Sequence, residues 1–563
     1  MTDTITGAKP DPFRRPPLGV AAWRWIARRD AYDIATIALV AAVAGIALLT
    51  LHSYAISNDE PVQHHYGELI LDYYRSGFLD RSVFEFKDLY LYGGLFDILA
   101  VSLSHLIAVD PYELRHVLCL MFGLGGVAAV AATARRLGGS RAALFAVIAL
   151  VSCGAWYGAM FNHTKDIPFA ATMAGATLLL IRCAHAFPSP RWRDVAALGL
   201  LTGAALGIRV LGLLIPVYTG FALVLYGPRP WRPLGRERLH FVMRSAAALL
   251  PALVIAYLVM IAAWPWAAQA PLNPLRALFA FSEYHFTIRT LLSGKIYDMS
   301  SVPRYYVPLY FLIRVPLATL CGALLAVVAA CWPRRDAEAS ALPRADIALI
   351  VLVAIFPVAC EVVTHGPADT GLRHFIFALA PLSVLAGLGL DATLAALSRW
   401  QREVGLAAMA VLAGLYVWYG SVLVRLHPYE YVYYNSLVGG AEGAARRYDM
   451  DYWVNSMPEM VAELEDYLRR TEPIDPGRPS RIYKVAVCGE RLSFDRSVTL
   501  AQLQWTEMRD WEKADFFIAP TQMFCDRILG GKVVGTVERM GVPLAYVKDR
   551  RALTRPALAA TQH

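Results

Sequence analysis

Two carboxylates follow directly on the end of an apolar run, and residues of that type can exchange protons with a substrate. Asn58-Asp59-Glu60-Pro61 comes straight after the first long apolar segment, 35–51, with His64 and His65 close behind. Ionisable groups at a membrane boundary are costly, so a working role is the natural first reading. Asp59 and Glu60 are candidate bases. Adjacent residues on a helix project about 100° apart, so only one of the two should face a pocket. A purely local role also fits, since Asn and Asp cap helices and Glu suits a first turn. His64 lies four residues after Glu60, a spacing that suits either a shared divalent metal or an exposed helical pair. No cofactor is otherwise indicated.

Further ionisable residues sit beside later apolar segments: His163, Lys165 and Asp166; Arg209; and Arg373 with His374. Carboxylates next to several cations suit a reaction with two needs, a base for an incoming hydroxyl and positive charge for an anionic leaving group. A lipid phosphate would lie at that membrane depth and supply the anion. Each assignment has a plainer competitor. Lys165 could snorkel from a helix end with Asp166 as its partner, and Arg209 could bond free carbonyls between two half-spans. Walker, dinucleotide-binding and zinc signatures are missing, and the Gly-Gly pairs at 125 and 439 lack the context that cradles phosphate.

The elements that must position these residues are membrane helices. Of 563 residues, 57% are hydrophobic and 17% charged, and repeated apolar runs of about 18 residues or more read as transmembrane spans. Eleven spans are expected, at 35–51 and near 113–134, 141–158, 167–185, 194–208, 210–226, 241–263, 306–331, 345–363, 374–397 and 404–424. The pair around Arg209 is the least secure, because hardly any loop separates its two members.

The formal charge of +8 resides in alternate loops. These carry Arg135, Arg136 and Arg141; Arg182, Arg191 and Arg193; Arg229, Arg232, Arg236 and Arg238; Arg334, Arg335 and Arg344; and Arg399 and Arg402. This is the positive-inside pattern and argues against nucleic acid as a partner. With Arg14, Arg15, Arg24, Arg28 and Arg29 in an N-terminal tail that lacks a cleavable signal, the N-terminus is expected inside a bacterial cytoplasmic membrane and the C-terminus outside. The candidate residues then share the outer face.

Residues 66–111 are too polar to span and rich in aromatics, which suits helices lying along the interface. The segment 264–305 is long for a loop, and Leu275, Leu278, Phe279, Ser282 and Phe286 recur in it at helical spacing. Tyr429, Tyr431, Tyr433 and Tyr434 read as an interfacial belt rather than a sugar platform. Beyond 425, short strands at 482–487, 516–519, 532–537 and 544–547 and a helix at 458–470 suggest a small α/β domain. Cys488 and Cys525 in that domain could pair, whereas Cys119, Cys153, Cys183, Cys321, Cys331 and Cys360 read as small core residues. The fold class is mainly α: a tail (1–30), a polytopic membrane domain with interfacial helices (31–424) and a small extracytoplasmic α/β domain (425–563).

The chain resembles the GT-C glycosyltransferase superfamily, in the branch of the protein O-mannosyltransferases and the aminoarabinose transferase of lipid A. The likeness rests on Asn58-Asp59-Glu60-Pro61, the run Phe161-Asn162-His163-Thr164-Lys165-Asp166-Ile167-Pro168-Phe169, Gly371-Leu372-Arg373-His374, and His427-Pro428-Tyr429 through Tyr434-Asn435. It covers most of residues 30–460; the C-terminal domain lies outside it. The resemblance implies inverting transfer of a sugar from a polyprenyl-phosphate donor to a lipid, glycan or protein acceptor at the outer face of the membrane. By position, Asp59 would be the base or orienting carboxylate, Glu60 its understudy and Asp166 a further catalytic carboxylate. Lys165 and Arg373, with His163, Arg209 and His374, would bind the donor phosphate. A secondary transporter and a non-catalytic envelope assembly protein are the alternatives from other classes; the former would favour broken helices and an inverted repeat near the midplane, and neither is evident in the sequence.

Overall fold

The computed structural model describes residues 30–228, 235–282, 288–331, 342–366, 368–472 and 481–554. The basic tail with its five arginines, the loop residues Arg229, Arg232, Arg334 and Arg335, and Phe286 of the segment 264–305 lie outside the described residues.

All eleven expected apolar segments are helical over most of their length. They form α1 (Ala31–Thr50), α4 (Pro111–Val151), α5 (Asp166–Ala184), α6 (Trp192–Leu206), α7 (Leu214–Leu225), α8 (Arg236–Ala263), α10 (Tyr306–Arg314) with α11 (Leu317–Cys331), α12 (Arg344–Thr364), α13 (Leu379–Trp400) and α14 (Arg402–Leu426). Among the described residues, seven helices are long and apolar enough to cross a membrane, eight if one bent pair counts as a single span. The protein is a multi-pass membrane protein.

Local chemistry accounts for three departures from the expected spans. The segments 113–134 and 141–158 run together in α4, whose 41 residues amount to about 60 Å of helix, twice a bilayer core. Gly139 breaks it, with a φ of 88° that side chains disfavour. Segment 306–331 is not one straight span: α10 and α11 meet at 110°. Pro316 follows the extended Val315 there, because proline removes a donor and pushes the residue before it out of the helical region. Around Arg209, α6 and α7 are 15 and 12 residues long, and a short 3-10 turn lies between them.

The bundle core lies where α13 packs against α4 and α11. A Cβ on Gly389 would stand 2.0 Å from the Gly322 carbonyl oxygen, so only glycine allows this approach of α13 to α11. The basic-loop residues gather at one end of the bundle. Arg135 forks onto Asp33 at 2.6 and 2.7 Å, Arg182 meets Asp194 at 2.7 Å, and His185 links Asp346 at 2.6 Å to Arg136 at 3.0 Å. The candidate site forms from the opposite helix ends.

Between the first two long helices, α2 (Glu60–Arg75) and α3 (Leu95–Ser104) lie against the bundle. The segment 264–305 holds the expected amphipathic helix, α9 (Asn273–Ser282), and an unexpected hairpin, β1 (Arg289–Leu292) with β2 (Lys295–Asp298). Farther on, α15 (Met457–Thr471) packs on a five-stranded sheet in the order β4-β3-β5-β7-β6. Its strands are β3 (Tyr483–Val487), β4 (Leu503–Thr506), β5 (Phe516–Pro520), β6 (Lys532–Arg539) and β7 (Val542–Asp549). The first three run parallel; β7 is antiparallel to both β5 and β6. Cys488, after β3, is bonded to Cys525, after β5, with Cα atoms 6.6 Å apart.

The reading of Tyr429, Tyr431, Tyr433 and Tyr434 as an interfacial belt is overturned. All four are buried inside the protein: the Tyr431 hydroxyl donates to Asp451, that of Tyr434 donates to the Asp449 carbonyl at 2.6 Å, and Arg539 lies over the ring of Tyr429. Alternating tyrosines carry the same pattern at a headgroup surface and in a hydrogen-bonded core, and only long-range partners separate the two.

Candidate active site

Four segments far apart in the chain converge on one charge cluster. Asp59 stands immediately before α2, where Pro61 fixes the first helical turn. Asp166 opens α5, Arg209 occupies the break between α6 and α7, and Arg373 begins a 3-10 turn that leads into α13. Arg373 donates through Nη2 to Asp59 Oδ2 and through Nε to Asp166 Oδ2 at 3.2 Å. Arg209 bonds the other oxygen, Asp166 Oδ1. The order is Asp59–Arg373–Asp166–Arg209, two anions and two cations. Asp166 is 3% exposed, Arg373 15% and Asp59 39%, so the cluster opens toward Asp59.

The plainer readings of Lys165 and Arg209 are therefore corrected. Asp166 pairs with two arginines rather than with Lys165, and Arg209 holds a carboxylate rather than loose carbonyls. Lys165 does not snorkel. It is buried, with Nζ 3.8 Å from Asp97 and over the rings of Tyr92 and Tyr66 at 4.7 and 5.5 Å. It stays within electrostatic reach of Asp59 and Arg209.

Glu60 turns the other way, as the 100° offset requires. It is wholly buried; its oxygens lie 3.1 and 3.2 Å from His116 Nε2, and the Ser57 amide donates to it at 2.7 Å. Behind it Arg115 bonds Asp97 at 2.8 Å, Thr164 at 3.1 Å and Gln63 at 3.2 Å. Glu60 thus belongs to a supporting network with Arg115, Asp97 and Lys165. Loss of one partner there would strand a buried charge, at a cost of about 3–5 kcal/mol. His64 faces Glu68 at 3.9 Å, whereas Glu60 turns to His116. Among the described residues no group of three or more His, Cys, Asp or Glu is arranged to hold a metal ion.

His163 is buried in an aromatic box of Tyr431, Tyr452 and Trp453, and its Nε2 meets the Tyr452 hydroxyl at 2.7 Å. Burial pushes its pKa down to about 3, so the ring is neutral. It positions Tyr452 and gives a phosphate no charge. His374 lies 3.4 Å from Asp369, at the rim of the cluster.

Sequence reasoning missed the inner network of Asp97, Arg115 and His116, and the segment 449–455. A carboxylate inside Leu95-Phe96-Asp97-Ile98-Leu99 and an arginine-histidine pair opening a span were signals of the first. Nothing local marks the second. The Arg373 guanidinium lies over the Trp453 ring at 4.2 Å, and Asn455 joins the Ala55 amide at 3.0 Å to Asn162 at 2.9 Å. Asp451 fixes that turn by accepting from the Asn455 and Ser456 amides at 2.9 and 3.1 Å. A backbone contact completes the frame. The Leu95 amide donates to the Gly207 carbonyl at 2.9 Å, and a Cβ on Gly93 would stand 2.1 Å from that oxygen.

Residues 100–255 match the family model described as dolichyl-phosphate-mannose-protein mannosyltransferase. That match supports the class the motifs resemble, a GT-C membrane glycosyltransferase. Among solved structures, the chain is similar to ArnT from Cupriavidus metallidurans bound to undecaprenyl phosphate, at 15% identity and a TM-score of 0.49, over 93% of this chain and 98% of that one. It is also similar to the oligosaccharyltransferase AglB from Archaeoglobus fulgidus with an inhibitory peptide and a dolichol-phosphate, at 12% identity and 0.43, over 87% and 69%. A third is the arabinofuranosyltransferase AftD from Mycobacteria, at 13% and 0.41, over 91% and 41%. No curated protein matches the chain by sequence.

Proposed function

We propose that the protein transfers a sugar from a polyprenyl-phosphate donor to the hydroxyl of a lipid, glycan or protein acceptor at the outer face of the cytoplasmic membrane of a bacterium. The observation that carries this reading is the meeting of Asp59 with Arg373, Asp166 and Arg209 at one end of a helical bundle. Asp59 takes the proton of the acceptor hydroxyl as its oxygen attacks the anomeric carbon. The bond from that carbon to the phosphate oxygen breaks, and its electron pair leaves with the polyprenyl phosphate. A single displacement with one base inverts the anomeric centre. Arg373 suits a forked contact with phosphate oxygens; Arg209 and Lys165 add positive charge at short range. Asp166 orients the two arginines. The scheme uses no cofactor.

The test is product release. Purified protein in lipid nanodiscs is given a panel of polyprenyl-phosphate sugars, with native membranes as the acceptor source. Release of polyprenyl phosphate from at least one donor, dependent on the acceptor membranes, is expected. No release from any hexose or pentose donor would count against the reading.

A further inference from the structure

Arg373 holds two carboxylates that differ in how firmly they are fixed. Asp166 is buried and doubly held, by Arg373 and by Arg209. Asp59 is 39% exposed and lies at the open edge of the cluster. The guanidinium between them rests against Trp453, which limits its tilt but leaves its fork free to change partners in the plane. With Asp59 bonded to Arg373, the carboxylate offered as the base is neutralised by the cation offered to the phosphate. While that contact holds, the oxygen of Asp59 that would meet an acceptor hydroxyl is occupied by Arg373.

We propose that Arg373 is an exchangeable counter-ion that masks Asp59 until a lipid phosphodiester arrives. This rests on the functional reading above. A phosphodiester carries one negative charge, so its exchange for Asp59 on the guanidinium leaves the charge of the cluster balanced. Arg373 keeps Asp166 as its anchor and forks onto phosphate oxygens. Asp59, released from its cation, is free to meet the acceptor hydroxyl at the moment the leaving group is in place. Donor binding therefore precedes engagement of the acceptor, because Asp59 stays on Arg373 while the donor position is empty. Lys165 cannot play this part, because Asp97 and two aromatic rings enclose it.

The exchange makes Asp59 a competitor of the phosphate, and that competition is measurable without any sugar transfer. The probe is farnesyl methyl phosphate, a prenyl phosphodiester whose charge is constant across the working pH range, titrated into full-length protein in nanodiscs. Asp59→Asn is expected to tighten its binding up to about fivefold, the scale of one partly exposed charge pair. Asp59→Glu, which restores a competing carboxylate, is expected to tighten it much less. In an Arg373→Gln background the gain from Asp59→Asn should vanish. If Asp59→Asn does not fold, as read from its thermal midpoint, Asp59→Ser serves in the same cycle. Unchanged affinity in Asp59→Asn, or an equal gain in both backgrounds, would overturn the exchange and leave the proposed function standing. A wild-type protein that binds the phosphodiester no better than farnesyl methyl ether would overturn the function and the exchange together.

Discussion

Asp59 and Glu60 are neighbours in the chain with opposite surroundings, and that contrast decides what each substitution should do. A base acts mainly on the transition state, so Asp59→Asn should lower turnover by about 10²–10⁴-fold without weakening lipid-phosphate binding. Glu60→Gln disturbs the His116 and Arg115 contacts instead. It should lower the thermal midpoint while changing turnover far less. Steady-state rates and thermal unfolding of the two variants separate the roles; a larger loss of turnover in Glu60→Gln would exchange them. His163 gives a pH prediction. Its folded pKa is depressed to about 3 by burial, whereas the unfolded ring titrates near 6.5. The unfolded state therefore binds more protons between those values. Stability is fully present above pH about 6.5 and falls on acidification by at most about 1.4 kcal/mol per pH unit. Thermal midpoints measured from pH 7 to 4.5 should fall less steeply in His163→Gln than in wild type.

At the scale of elements, the spans were legible because twenty apolar residues in a row have few other uses. Their interruptions were legible only in part. Pro316 stands in plain sight in segment 306–331, yet a proline bends one membrane helix and ends another, and neighbours decide which. The divergence of Asp59 from Glu60 was readable from helical geometry alone. Burial of Tyr431 or Tyr434 was not, because their partners Asp451 and Asp449 belong to a turn with no local signal. Asp449 also accepts from Thr290 in β1 at 2.8 Å, from Tyr306 and Tyr310 in α10 at 3.1 and 3.2 Å, and from Gln522 at 2.7 Å. That knot joins the β1–β2 hairpin, the bundle and the sheet through contacts no sequence window spans. The bridge between Cys488 and Cys525 was foreseeable from two adjacent strand ends. Closing this loop should contribute about 2–4 kcal/mol. Thiol labelling of the denatured, unreduced protein is expected to leave both cysteines unmodified until reductant is added; full labelling without reductant would remove the bridge.

For the whole molecule, two charge populations occupy opposite ends of one bundle. Arginines of the basic loops pair with Asp33, Asp194 and Asp391 at one end, and Asp59, Asp166, Arg209 and Arg373 meet at the other. By the positive-inside rule we propose that the first end faces the cytoplasm. Reporter fusions at Pro10, Gly235 and the C-terminus should therefore read in, in and out; an inward C-terminus would place the C-terminal sheet on the wrong side of the membrane for the proposed reaction. The role proposed for Asp59 is that of the base for transfer of a lipid-linked sugar. It is tested most directly by mass spectrometry of lipid-linked sugars and envelope glycans in a deletion strain carrying the wild-type gene, Asp59→Asn or Glu60→Gln at matched expression. One polyprenyl-phosphate sugar should accumulate and one glycan modification should disappear in the deletion and in Asp59→Asn, with both reversed by the wild type. Full restoration by Asp59→Asn, or no change in any lipid-linked sugar on deletion, would contradict that role.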